Sequence, residues 1–174
     1  MRSAQTALNK RDDNDNDCIV LKLCFWNMNG IKNKFMSTDV LLLLNSIDIL
    51  IIGETHFNIR TKCPDGYFLV GRSKASGLKK PRGGIAVYIN TNTNLKLNVL
   101  NDEFTDMVVF EIENTNIAII AVYIPPNNSI YFDEEYFQTM KLLWDIYSEN
   151  RTLYLVGDLN ARLGNQILRH GRNY

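Results

Sequence analysis

A layered α/β (α+β) sandwich, with sheets flanked by helices, is the fold class predicted by three features of this sequence. Short apolar and β-branched runs recur along most of its length. Two other segments carry apolar residues at helical spacing instead. Some runs are joined by hairpin-length polar links and others across a helix, which mixes antiparallel with parallel connections. A chain of 174 residues, 45% of them hydrophobic, can bury one sizeable core, so a single domain is expected.

The elements follow in order. Met1 to Asp17 is polar, ends in an Asp/Asn string and lacks an apolar signal core, so residues 1–17 read as a disordered leader and residues 18–174 as the domain. Cys18 to Phe25 fits a buried strand that stops at the polar turn Asn27-Met28-Asn29-Gly30. Phe35 to Asn45 places Phe35, Met36, Val40, Leu43 and Leu44 at helical spacing, with Ser37, Thr38 or Asp39 available as caps. Ile47 to Ile52 is a second strand, closed by Gly53. From Arg60 to Arg82 the residues Arg60, Lys62, Arg72, Lys74, Lys79, Lys80 and Arg82 are opposed only by Asp65. That stretch reads either as a phosphate-facing loop or as a solvated one. Further strands are expected at Gly84 to Ile89, Leu95 to Leu100, Met107 to Ile112 and Ile117 to Ile124, the last two paired antiparallel through the polar link Glu113 to Asn116. Asp133 to Tyr147 reads as a helix with Tyr136, Phe137, Met140, Leu143, Trp144 and Tyr147 on one face and Asp133, Glu134 and Glu135 in its first turn. Leu153 to Val156 is a last strand, running into Gly157-Asp158-Leu159-Asn160.

Bulk properties narrow the function classes only a little. Lys plus Arg and Asp plus Glu are both 19, so net charge points to no partner. The three cysteines form no CxxC or Cys/His spacing, which argues against a disulfide framework or structural zinc and fits a reduced intracellular compartment, nuclear included. The most apolar run, Val40 to Ile52, is too short for a bilayer and is broken by Asn45, Ser46 and Asp48, so no membrane partner is expected. Neither a P-loop nor a GxGxxG motif is present.

Polar residues keep falling where strands end, which is where open sheets place a ligand crevice. Glu54 follows a wholly apolar strand and reads as a hard oxygen ligand for Mg²⁺ or as an ordinary strand-end glutamate. His56 beside it is a packed or supporting imidazole, since one histidine is not a zinc motif. Asp158 and Asn160 stand two residues apart and, in extended backbone, point the same way. They could orient a water and hold a phosphoryl oxygen, or cap a turn. Tyr123, stiffened by Pro125-Pro126, could donate to a phosphate or simply pack at a sheet rim, and Asn27 is either a bridge to metal and substrate or a turn former.

Together and in this order, WN-x-NG, GETH, RGGIAVYI, VYIPPN and GDLNAR resemble the endonuclease/exonuclease/phosphatase superfamily, the DNase I-like fold, across Cys18 to Gly164. GETHF, VYIPPN and GDLNAR look most like the endonuclease domain of non-LTR (LINE-type) retrotransposons. The resemblance implies Mg²⁺-dependent (or Mn²⁺-dependent) hydrolysis of phosphodiesters in DNA. It makes Glu54 the metal ligand, Asn27 its neighbour, Tyr123 a contact to the scissile phosphate, Asp158 the residue that orients or deprotonates water, and Asn160 a stabiliser of phosphate oxygens. Asn29 stands where a second metal-binding Asp is common; it is expected, with Lys79, Lys80 and Arg82, to face substrate. The family's later Asp-His pair, in an S-D-H-like motif, is absent after Asn160, and His170 lacks the preceding Asp. The resemblance therefore implies a domain incomplete at its C-terminus, inactive or weak as it stands. A non-catalytic nucleic-acid-binding or protein-binding remnant, or a phosphatase or phospholipase member of the same superfamily, are the alternative expectations. Target preference and oligomeric state are not legible.

Overall fold

The computed structural model describes residues 4–10, 19–30, 42–56, 63–74 and 82–160. Among them, β1 (Ala4–Lys10), β2 (Ile19–Asn27), β3 (Ile49–Gly53), β4 (Tyr67–Arg72) and β5 (Ile85–Asn90) form one sheet in the order β1-β2-β3-β5-β4. A second sheet has the order β6-β7-β8-β9, from β6 (Leu97–Asn101), β7 (Met107–Ile112), β8 (Ile117–Tyr123) and β9 (Thr152–Asp158). Each sheet holds one parallel pair, β2 with β3 and β8 with β9; the other pairings are antiparallel. Both parallel connections need a crossover, and the second is made by helix α1 (Glu135–Tyr147). This is the predicted layered sandwich.

The period-2 alternation of the strands sorts the core into three layers. Leu21, Leu23 and Phe25, Ile49 and Ile51, and Ile85 and Val87 meet Val108, Phe110 and Ile112, and Ile119, Ala121 and Tyr123, between the two sheets. Residues of the opposite parity, including Cys24, Leu50, Ile52, Ala86 and Tyr88, face outward onto Met28, Leu44 and Ile47. On the far side of the second sheet, Met107, Val109, Ile120 and Val122 pack against Leu143 of α1. Ile49, Leu50, Ile51 and Ile52 have no exposed surface, and each such burial contributes about 1.5–3 kcal/mol.

Several expectations need correction. Part of the leader expected to be disordered, Ala4–Lys10, is strand β1, antiparallel to β2. The edge of β2 offers unpaired N–H and C=O groups, and main-chain bonds to it need no apolar sequence. The basic stretch is not all loop, because Tyr67–Arg72 is edge strand β4, with a register shift between Leu69 and Gly71. Helix α1 starts at Glu135 rather than Asp133, whose Oδ1 accepts the Glu135 N–H at 3.0 Å. Its covered stripe is also narrower than expected, since Phe137 and Trp144 remain 43% and 41% exposed. The first helix lies outside the described residues except for its end at 42–44, which is helical.

Candidate active site

Side-chain parity decides what stands at one end of the sandwich. Asn27, last residue of β2, falls on the same face as Leu21, Leu23 and Phe25, so it points into the gap between the sheets. Tyr123 ends β8 on the face of Ile119 and Ala121, and Asp158 ends β9 on the face of Tyr154 and Val156. Parallel pairing sets these tips side by side, Asn27 opposite Gly53 and Tyr123 opposite Asp158. Glu54 leaves β3 immediately after Gly53 with φ 51°.

Two side-chain hydrogen bonds then join the sheets. The Tyr123 hydroxyl donates to Glu54 Oε1. Asn27 Nδ2 donates to Asp158 Oδ2 at 3.0 Å. Asp158 Oδ1 accepts the Asn160 N–H at 3.0 Å, so both carboxylate oxygens are oriented. Asn160 spends one amide hydrogen on the Ile124 carbonyl at 2.8 Å, which fixes its side chain at the same rim. Asn29, two residues past β2 and exposed, donates its N–H to Asn27 Oδ1 at 3.1 Å.

Backbone strain gathers in the same place. Left-handed φ occurs at Asn29, Glu54, His56 and Asn160, and at Asp106 just before β7. Such conformations cost free energy and are held by surrounding bonds. Here Gly30 N–H donates to the Glu54 carbonyl at 2.7 Å, Thr55 N–H to Gly84 O at 3.2 Å and His56 N–H to Gly83 O at 3.0 Å. A Cβ at Gly83 would fall on the Asp106 carboxylate, so that glycine is required by close approach as well as by its φ of +66°.

Burial pushes the Tyr123 hydroxyl well above the ordinary tyrosine range, reinforced by its bond to Glu54 and by the charges of Glu54, Asp106 and Asp158. It is therefore a proton donor at neutral pH. Asp106 has no exposed surface, and burial moves it up to about 6, opposed by hydrogen bonds from Gly84 and Tyr136 and aided by the charge of Glu54. Sequence reasoning missed Asp106; its one local signal was a carboxylate directly before a buried strand.

The Tyr123 hydroxyl lies under the charges of Glu54, Asp106 and Asp158, and of these Glu54 accepts its hydrogen bond. Among the described residues, no group of three His, Cys, Asp or Glu side chains could cage a metal. Mg²⁺ needs no such cage, since it keeps several waters and takes one or two carboxylates. Glu54, which follows Gly53, the residue paired with Asn27, offers one such carboxylate. Thr55 Oγ1, one residue from Glu54, is buried without a hydrogen-bond partner among the described residues. Arg82 is exposed beside Gly83, and Lys74, whose carbonyl accepts the Asp106 N–H, is exposed at the same rim. Lys79, Lys80 and His170 lie outside the described residues.

The sequence matches no protein-family model and no curated protein. Solved structures do match. The endonuclease domain of TRAS1, a telomere-specific non-LTR retrotransposon, superposes with a TM-score of 0.59 at 20% identity, over 82% of this chain and 62% of that one. A 3′ phosphatase from Neisseria bound to product DNA hairpin gives 0.52 at 18%, over 80% and 58%. An endonuclease/exonuclease/phosphatase family protein from Leptotrichia buccalis gives 0.51 at 13%, over 81% and 67%. The fold is thus the DNase I-like one of that superfamily, and the chain spans about three fifths of the first two structures. Among the described residues, no helix is long and apolar enough to cross a membrane.

Proposed function

We propose that this chain, which shares the fold of the endonuclease/exonuclease/phosphatase superfamily, carries the metal- and phosphate-binding part of a DNA phosphodiesterase of the non-LTR retrotransposon type. One observation carries the proposal: Tyr123–Glu54 and Asn27–Asp158 are both hydrogen-bonded between sheets at the same end. Four polar groups from four strand ends are thereby fixed around one gap. Such preorganisation is what transition-state stabilisation requires. The wording of GETHF and GDLNAR supports nucleic acid as the substrate, as does the DNA held by the Neisseria protein of the same fold.

In this reading Glu54 and Asn27 hold Mg²⁺, which when bound supplies charge neutralisation at the phosphate. Asp158, oriented by Asn27 and by the Asn160 N–H, takes a proton from the attacking water as the new P–O bond forms. Tyr123 turns its single hydroxyl hydrogen from Glu54 to a phosphate oxygen as substrate binds, and Asn160 uses its remaining amide hydrogen for another. The 3′ oxygen departs with the electron pair of the broken P–O bond and needs a proton. Solvent water can supply that proton.

A second reading replaces the diester with a phosphomonoester at a DNA 3′ end, favoured by the phosphatase of the same fold. One experiment covers both. Supercoiled plasmid and a 3′-phosphorylated oligonucleotide are incubated with the chain, with and without Mg²⁺. The expected result is Mg²⁺-dependent nicking that Glu54→Gln and Asp158→Asn each abolish. Release of phosphate without nicking would favour the monoesterase. Cleavage of neither substrate, or cleavage indifferent to Mg²⁺ and to both substitutions, would overturn the proposal.

A further inference from the structure

Asp106 has no part in the chemistry proposed for Glu54, Asn27, Tyr123 and Asp158, yet more of the corner's hydrogen bonds pass through it than through any of them. Its Oδ1 accepts the Gly84 N–H and its Oδ2 accepts the Tyr136 hydroxyl at 2.8 Å. Its N–H donates to the Lys74 carbonyl at 3.1 Å, and its carbonyl accepts the Tyr123 N–H at 2.9 Å. One residue therefore binds the exit of β4, the entry to β5, the end of β8 and the first turn of α1.

These bonds close a circuit. Glu54 is followed by Thr55 and His56, whose N–H groups rest on the carbonyls of Gly84 and Gly83. Gly84 is held by Asp106, Asp106 by the Tyr123 main chain, and the Tyr123 hydroxyl returns to Glu54. The left-handed φ of 60° at Asp106 and the missing Cβ of Gly83 both serve to let the carboxylate reach this corner. A carboxylate buried this completely is costly unless hydrogen-bonded. Among the described residues its side-chain partners are these neutral donors rather than a lysine or arginine.

We infer that Asp106 is a positioning residue, whose hydrogen-bonded carboxylate fixes the spacing between the Glu54 turn and the Tyr123 hydroxyl across the mouth of the two sheets. The functional meaning of that spacing rests on the proposed phosphodiesterase reading; the spacing itself does not. An alanine leaves the Gly84 N–H and the Tyr136 hydroxyl buried without an acceptor and frees the corner. An asparagine can keep both links, its oxygen accepting from Gly84 and its NH₂ donating to the Tyr136 oxygen, because a tyrosine hydroxyl also accepts. Asn therefore separates geometry from charge.

The experiment uses the full chain. A hydroxyl bonded to a carboxylate gives a downfield, slowly exchanging proton resonance, assigned to Tyr123 by its loss in Tyr123→Phe. Asp106→Ala is expected to lose or strongly shift this resonance and to weaken Mn²⁺ binding by about tenfold, as removal of an outer support of a metal ligand commonly does. Asp106→Asn is expected to keep both. Tyr136→Phe, which removes one bond and keeps the ring, shifts the resonance part of the way and serves if Asp106→Ala fails to fold. Leu143→Ala lowers stability from within the α1 contact and leaves the resonance in place. A resonance unmoved in Asp106→Ala or Tyr136→Phe, or lost equally in Asp106→Asn, overturns the inference. Wild-type chain that shows the resonance but no Mn²⁺ affinity would sink the proposed function while leaving the positioning intact.

Discussion

Tyr123 is a core residue along its ring and a site residue at its tip. Its ring packs with Ile119 and Ala121 between the sheets, and only the hydroxyl reaches the rim, where Glu54 receives it. The same division holds at Asn27 and Asp158, which continue the buried face of β2 and the half-buried inner face of β9 for one residue past the apolar pattern. Asp106 shows what burial does to an acid. Its folded pKa is raised from the ordinary 3.8 to about 6, so between those values the folded state binds a proton that the unfolded chain has released. The resulting stabilisation is complete below about pH 4 and is lost as pH rises through about 6, an effect on the order of 3 kcal/mol. Urea denaturation of wild type and Asp106→Asn from about half a unit below the window to about one and a half units above it checks this. The wild-type stability minus that of Asp106→Asn should fall between pH 4 and 6 and be flat above. A difference that rises through that window would contradict the assignment.

At the scale of the element, the strands act as rulers whose ends matter more than their middles. Pairing of β8 with β9 has to be close, because a Cβ at Gly157 would run into the Val122 carbonyl, a backbone atom that cannot step aside. Gly157→Ala is accordingly expected to cost at least about 2 kcal/mol, measured by thermal or urea unfolding. Gly66→Ala, where nothing lies within 4 Å and only the φ of +79° objects, should cost about 1–2 kcal/mol at most. Equal losses would show that β8 and β9 approach less closely than this. The central strands were legible because a short β-branched run stopped by polar residues rarely folds as anything but a buried strand, and their tips gave Asn27, Glu54, Tyr123 and Asp158. Strand β4 was not, since its exposed Phe68 and Leu69 and its register shift blur the alternation. Strand β1 was not, since main-chain pairing along an edge leaves no apolar signature. Asp106 escaped notice because its partners, Gly84 and Tyr136, lie 22 and 30 residues away and meet it only after the sheets have packed.

For the whole molecule, the informative relation is between two sheets that bury a shared core and the polar corner left where that core ends. Net charge of zero says nothing of a partner. What organises the corner is the coincidence of two parallel pairs, β2 with β3 and β8 with β9, whose C-terminal tips face one another across the gap. Arg82 and Lys74 are exposed beside Gly83 and Ser73. If this corner is a metal- and phosphate-binding site, a divalent ion must settle at Glu54. Anomalous scattering from crystals grown with Mn²⁺ shows that directly: a peak within coordination distance of the Glu54 carboxylate, facing Tyr123 and Asp158 and absent in Glu54→Gln, is the predicted result. Mn²⁺ bound elsewhere, or no peak at Glu54 at saturating metal, would contradict it.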